Sequence, residues 1–235
     1  MGEQASQKDT AAAGIHNTAT RAIVSTLGAL VGVGSIDHGL LECLQGNRAT
    51  PGLIVNALGP GYGWTVWKQG GEGAFTLVPN FLLTGILATL MGVALIVWSL
   101  RFIDRRHGAG VFLLLGVGSF LVGGGVAQVV LITLNWAAAT RIRGSLGFWR
   151  WMIPEAARRA LGGSWRWSLL AGTVLFFAAL EMAVVGYVPG VMSQIRILHV
   201  CWTILAAALG LFLLSIVEGF AHDIEALASQ NRDLA

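Results

Sequence analysis

The sequence predicts an all-α integral membrane protein, a polytopic helical bundle. It has four full spans plus a Gly-broken helical hairpin that is either re-entrant or made of two short spans. Three observations predict this. Of 235 residues 55% are hydrophobic and only 11% charged, where a soluble domain has roughly a quarter charged. Mean hydropathy is +0.70. Apolar runs of about 20 residues, the length that crosses the hydrocarbon core of a bilayer, recur along the chain. The nine tryptophans and 32 glycines fit the same class, Trp being favoured at membrane interfaces and Gly within spans.

The elements follow in order. Residues 1–21 are polar and small and read as a cytoplasmic tail. They lack the basic region followed at once by an apolar run that marks a secretory signal, so the first span, 22–43, is expected to act as an uncleaved anchor. Within it Gly28-xxx-Gly32 offers a close-packing surface for another helix. Residues 46–79 are rich in Gly and Pro yet carry Leu53, Ile54, Val55, Tyr62, Trp64 and Trp67. A solvated linker would not, so this segment is expected to fold back as an outer cap. The second span is 80–100.

The segment 110–140 is too long for one upright helix, and Gly123, Gly124 and Gly125 interrupt it. The positive-inside rule decides how it runs. If it crosses once, Lys and Arg divide six to nine between the two sides; if it turns back at the glycines, the same residues divide twelve to three. The hairpin gives the stronger asymmetry and is preferred. Its arms, 111–122 and 126–140, would be about 18 and 22 Å long. Gln128 and Asn135 share a face of the second arm, placed for hydrogen bonds between helices or for a substrate-facing role.

Residues 147–162 join Phe148, Trp149 and Trp151 to Arg158 and Arg159, reading as a basic helix in the headgroup plane. Spans at 169–187 and 195–217 complete a single bundle over 22–220, and 221–235 is expected to be a cytoplasmic C-terminal tail that begins as a solvated amphipathic extension of the last helix. Glu218, His222, Asp223 and Glu225 are assigned to that exit from the membrane. The predicted location is the plasma (inner) membrane, multi-pass, with both termini cytoplasmic. The lipid bilayer is the expected partner, together with further copies or other membrane subunits. The net charge of +3 comes from residues in loops beside apolar segments, where they set topology and meet anionic headgroups. It therefore does not indicate a nucleic-acid partner.

Ionisable residues inside spans are costly and by default point to function. His38 and Glu42 lie about 40° apart on a helical wheel, with Ser35 and Gln45 on the same face. Asp37 is turned away from them. The stripe falls in the outer third of the bilayer, and Glu181, His199 and Asn80 fall at a similar height. The candidate cavity therefore comprises Ser35, His38, Glu42, Gln45, Asn80, Glu181 and His199. Three readings stay open. The cluster could fix helix order in a structural accessory subunit. It could line an outward-facing cavity that binds or transports a small polar or cationic solute, with Glu42 and Glu181 exchanging protons. Or His38, Glu42, Glu181 and His199 could ligate Zn or Fe and activate water against a lipid or other membrane substrate. The solute reading is preferred and the metalloenzyme is its alternative. HxxxE is a weak signal, and the chain has no HExxH, CxxC, P-loop or GxSxG pattern. Cys43 and Cys201 are read as ordinary helix cysteines rather than a disulfide.

Overall fold

A computed structural model describes residues 17–57 and 73–233, with side chains as far as 230. The expected tail 1–16 and the cap residues Tyr62, Trp64, Trp67 and Lys68 lie outside the described residues. The chain is mostly helical, and four helices are long and apolar enough to cross a membrane. In order, the elements are α1 (Thr18–Leu44), β1 (Ile54–Asn56), β2 (Gly73–Phe75), α2 (Phe81–Arg101), α3 (Gly108–Leu121) and α4 (Gln128–Ala139). There follow α5 (Gly147–Met152), α6 (Glu155–Leu161), α7 (Trp165–Val185) and α8 (Gln194–Asp233).

The centre of the bundle is α1. Its most apolar stretch is 61% buried, against 22 to 33% in the other three long helices. The reason lies in its glycines. A methyl on Gly32 would stand 2.6 Å from the Gly92 carbonyl oxygen, and one on Gly39 the same distance from that of Gly85. With no side chain at either crossing, α1 and α2 touch backbone to backbone along an antiparallel contact.

Segment 110–140 turns back. Helices α3 and α4 are joined through residues 122–127, where Gly123 and Gly125 have φ of +101° and +92°, a region glycine enters without steric cost. Both flanks of the hairpin reach the same end of the bundle. Asp104, after α2, pairs with Arg21 of α1 at 3.3 Å. Asn17 Nδ2 donates to Arg141 O at 2.6 Å, just past α4.

At the opposite end the cap is a two-stranded antiparallel sheet in which Val55 faces Ala74. Val55 and Ala74 are buried, while Leu53 and Ile54 are exposed. The second edge of β2 is also occupied: Gly123 N donates to Phe75 O and Val126 N to Gly73 O. Phe75 stacks on Phe120 at 5.2 Å. The backbone freed by the glycine turn is thus satisfied by the cap strand, as exposed backbone in an apolar layer must be.

Two expectations change. The basic interfacial helix is two short helices, α5 and α6, because Ile153 is extended and Pro154 starts the second; Trp149 packs inward on Phe220 while Trp151 is exposed. The segment from 221 continues α8 unbroken to Asp233, as an extension of the last helix should, but its acidic residues are not all solvated. Glu218 and Asp223 are both 3% exposed. Glu218 accepts from Ser164 Oγ at 2.7 Å. Asp223 caps the start of α1, accepting from Ala19 N, Thr20 N and Thr20 Oγ1. The carboxylate supplies what the N-cap residue Asn17 does not, since that side chain makes no cap bond.

Candidate functional site

The polar stripe of α1 faces the glycine turn. Ser35, His38 and Glu42 are all buried, Ser35 and Glu42 completely. Each meets a particular piece of the hairpin. Ser35 Oγ lies 2.7 Å from Ser119 Oγ and donates to Gln128 Oε1 at 2.9 Å. His38 fills the space where a Cβ on Gly125 would be, and the Glu42 carboxylate fills the corresponding space at Gly123. Gly123 and Gly125 are therefore the complement of the stripe, while Gly124 lies against Ser119 of the hairpin itself: the turn comes so close because it has no side chains there. Neither Glu42 oxygen has a hydrogen-bond partner among the described residues.

The polar contact extends toward the arginine-rich end. Gly28, Ser35 and Glu42 are spaced by seven, which keeps them on one face. Gln128 and Asn135 have the same spacing on α4. Gln128 meets Ser35 and packs on Gly34, while Asn135 and Ser99 pack on Gly28. Asn135 is fully buried, and hydrogen bonding to its side chain is unfulfilled among the described residues.

Beside this layer is a cleft of about 360 Å³ between α1 and α4 on one side and α7 and α8 on the other. Its walls are apolar, with Leu131, Phe176, Leu205 and Phe212 among them, and His38, Gln128 and Cys201 also belong to the lining. Two contacts bound it. Toward the cap, Val184 packs on Leu41 and Ala57. Toward the arginine-rich end, Phe176 and Phe212 close together at 6.4 Å. Val130 and Trp202 line it and are at least half exposed, so it opens sideways between α4 and α8.

The predicted cavity is divided by the fold. Ser35, His38 and Glu42 come together. Gln45 is buried nearby but is occupied by the cap, its Nε2 donating to Asn56 O and Ala57 O. Asn80 is the N-cap of α2, accepting from Leu83 N. Glu181 and His199 sit on exposed sides of α7 and α8 and do not join the stripe. The Zn or Fe set of His38, Glu42, Glu181 and His199 is corrected accordingly: two members are buried and two turned outward. Among the described residues no three His, Cys, Asp or Glu side chains gather as a metal requires. Cys43 directs its thiol to Leu82 O and Cys201 to Ala179 O, so no disulfide joins them.

Sequence reasoning missed Ser119 and the role of the glycines as the stripe's complement. The available signal was the matching seven-residue spacing on α1 and α4, which places two polar rows opposite each other. No protein-family model, no curated protein and no solved structure matches the chain.

Proposed function

We propose that this is a membrane-embedded binding protein whose ligand is a small, largely apolar molecule that enters from the lipid phase. The observation that carries the reading is the cleft. Its volume of about 360 Å³ lies in the range of small-molecule sites, about 300–1,000 Å³. It has the usual make-up of such a site, an apolar wall with few polar groups, and its mouth opens between helices. The expected small polar or cationic solute becomes, on this reading, at most the head of an amphipathic ligand, because the polar layer itself is filled by the glycine turn.

The test is retention of radiolabelled dodecane by the purified protein in detergent. Wild type is expected to retain it in a saturable way, and Leu205→Trp, which fills the cleft, to retain none. Equal retention by the two proteins would remove the cleft from consideration.

A second reading has one observation in its favour. Glu42 is fully buried and its carboxylate oxygens have no hydrogen-bond partner among the described residues, and a charge in that position requires a companion. A cation or an exchanged proton would provide one, with His38 one turn away. Glu42→Gln keeps the shape of the side chain and removes its charge. On this reading it abolishes pH-dependent ligand binding while the protein remains folded; an unchanged pH profile rejects it.

The proposed orientation places the arginine-rich end, with both termini, in the cytoplasm. Ten arginines, from Arg21 to Arg166, flank the helix ends there, against Arg48 and Arg196 at the capped end. Assembly with further copies or other membrane subunits stays part of the proposal, as does the plasma membrane as location.

A further inference from the structure

Two helix faces are left uncovered by the fold, and they match each other. On α7, Leu170, Val174, Phe177 and Glu181 follow the spacing of a single helix face, and all are exposed. On α8, Arg196, His199, Thr203, Ala207 and Gly210 do the same and are exposed too. The first face is bulky and ends in an acid. The second is small, with nothing within 4 Å of a Cβ at Gly210, and ends in His199 and Arg196. Ionisable side chains on a spanning segment are costly in contact with lipid and almost always face protein or a wet cavity. Among the described residues Glu181, Arg196 and His199 form no ion pair.

The two faces also stand at matching heights. Cys201 Sγ donates to Ala179 O at 3.5 Å, which puts these two residues about level on antiparallel helices. Glu181 lies two residues beyond that level toward the capped end, and so does His199. Counting the other way at equal helical rise, Phe177 falls level with Thr203, Val174 with Ala206 and Ala207, and Leu170 with Gly210. Large side chains on α7 thus stand at the heights of small ones on α8. They do not meet within one copy, because each face points away from the α7–α8 contact, which runs through Gly172, Ala179, Cys201 and Phe212. Copies that cross the bilayer in one orientation are related by an axis along its normal, and such an axis keeps every height. We infer that copies of the chain pack side by side, the Leu170–Glu181 face of α7 in one against the Arg196–Gly210 face of α8 in the next. The bulky row enters the groove over Thr203, Ala207 and Gly210, the close approach that holds helices together in lipid, and Glu181 meets His199 and Arg196. Because two different faces meet, the contact is heterologous and closes as a ring of three or more copies. This gives a definite form to the assembly with further copies proposed above, and it does not depend on the cleft holding a ligand.

The test is disulfide trapping in intact membranes, with Cys43 and Cys201 replaced by Ser. One tagged copy carries Val174→Cys, and a second copy with a different tag carries Ala207→Cys. Mild oxidation is expected to join the two tags in one dimer, while neither variant expressed alone gives a dimer. A chain carrying both substitutions is expected to give a ladder that reaches trimer or beyond. Gly210→Leu obstructs the groove without touching its own bundle and is expected to lower the mixed dimer about tenfold. Glu181→Gln is expected to lower it about threefold. Unchanged yields in both variants would overturn the contact. A dimer from Ala207→Cys alone would keep the assembly of copies but overturn this interface, since α8 would then meet its own counterpart. No cross-link between copies in any combination would overturn both.

Discussion

Gly123 and Gly125 are glycines for two physical reasons at once. Each has a left-handed φ, and each presents its bare α-carbon to a buried side chain of α1, Glu42 in one case and His38 in the other. The two reasons can be separated. Gly123→Ala is expected to lower stability by about 2 kcal/mol or more, combining backbone strain with a steric clash. Adding Glu42→Ala vacates the space for the new methyl and should recover the clash but not the strain. Thermal unfolding of the two single variants and the double variant measures this coupling, and strictly additive losses would show that the contact does not exist. At this scale the sequence was half legible. A 100° helical step places Ser35, His38 and Glu42 on one face whatever surrounds them. Membrane depth, the other guide, put Glu181 and His199 in the same layer, but depth does not fix the direction in which a side chain points. That direction depends on which helix lies alongside, and α7 and α8 turn those two residues outward.

Between elements, the closest association is α1 with α2. Gly32 faces Gly92 and Gly39 faces Gly85, so each helix contributes two glycines seven residues apart. In lipid, where helices gain little from burying apolar surface against each other, close backbone approach and the dispersion it permits supply the attraction. Gly39→Leu is expected to force the pair apart and cost about 3 kcal/mol, seen as a lower unfolding temperature in detergent. Gly110→Leu serves as the control, since nothing lies within 4 Å of a Cβ at that position, and an equal loss in both variants would refute the account. Gly28-xxx-Gly32 announced a packing surface in the sequence, but its partners could not be read there. Small residues show that something approaches and not what it is. The role of Asp223 on α8 was hidden for a related reason. Asp223 looks like an ordinary solvated residue until the start of α1 is placed beside it, and only then does its carboxylate become a cap for another helix.

At the scale of the whole molecule, the return of the chain within 110–140 was readable from charge together with the glycine triplet, because arginines collect beside one set of helix ends. The fold agrees in bringing Asp104 to Arg21 and Arg141 to Asn17 at one end. The side of the membrane on which that end lies is open to a direct check. Ser145 is exposed in the connection after α4. With Cys43 and Cys201 replaced by Ser, Ser145→Cys is expected to react with an impermeant thiol reagent only from the cytoplasmic face. Reaction from outside would invert the proposed orientation.

The cap strand gives the molecule one more property. β2 is hydrogen-bonded on its free edge to the glycine turn, and the turn rests on Glu42 and His38, the latter in the wall of the cleft. The three form one continuous chain of contacts from the capped surface to the wall of the cleft. A molecule that grips the cap and changes affinity at the cleft is therefore expected to have its own affinity changed by the same factor when the cleft is filled.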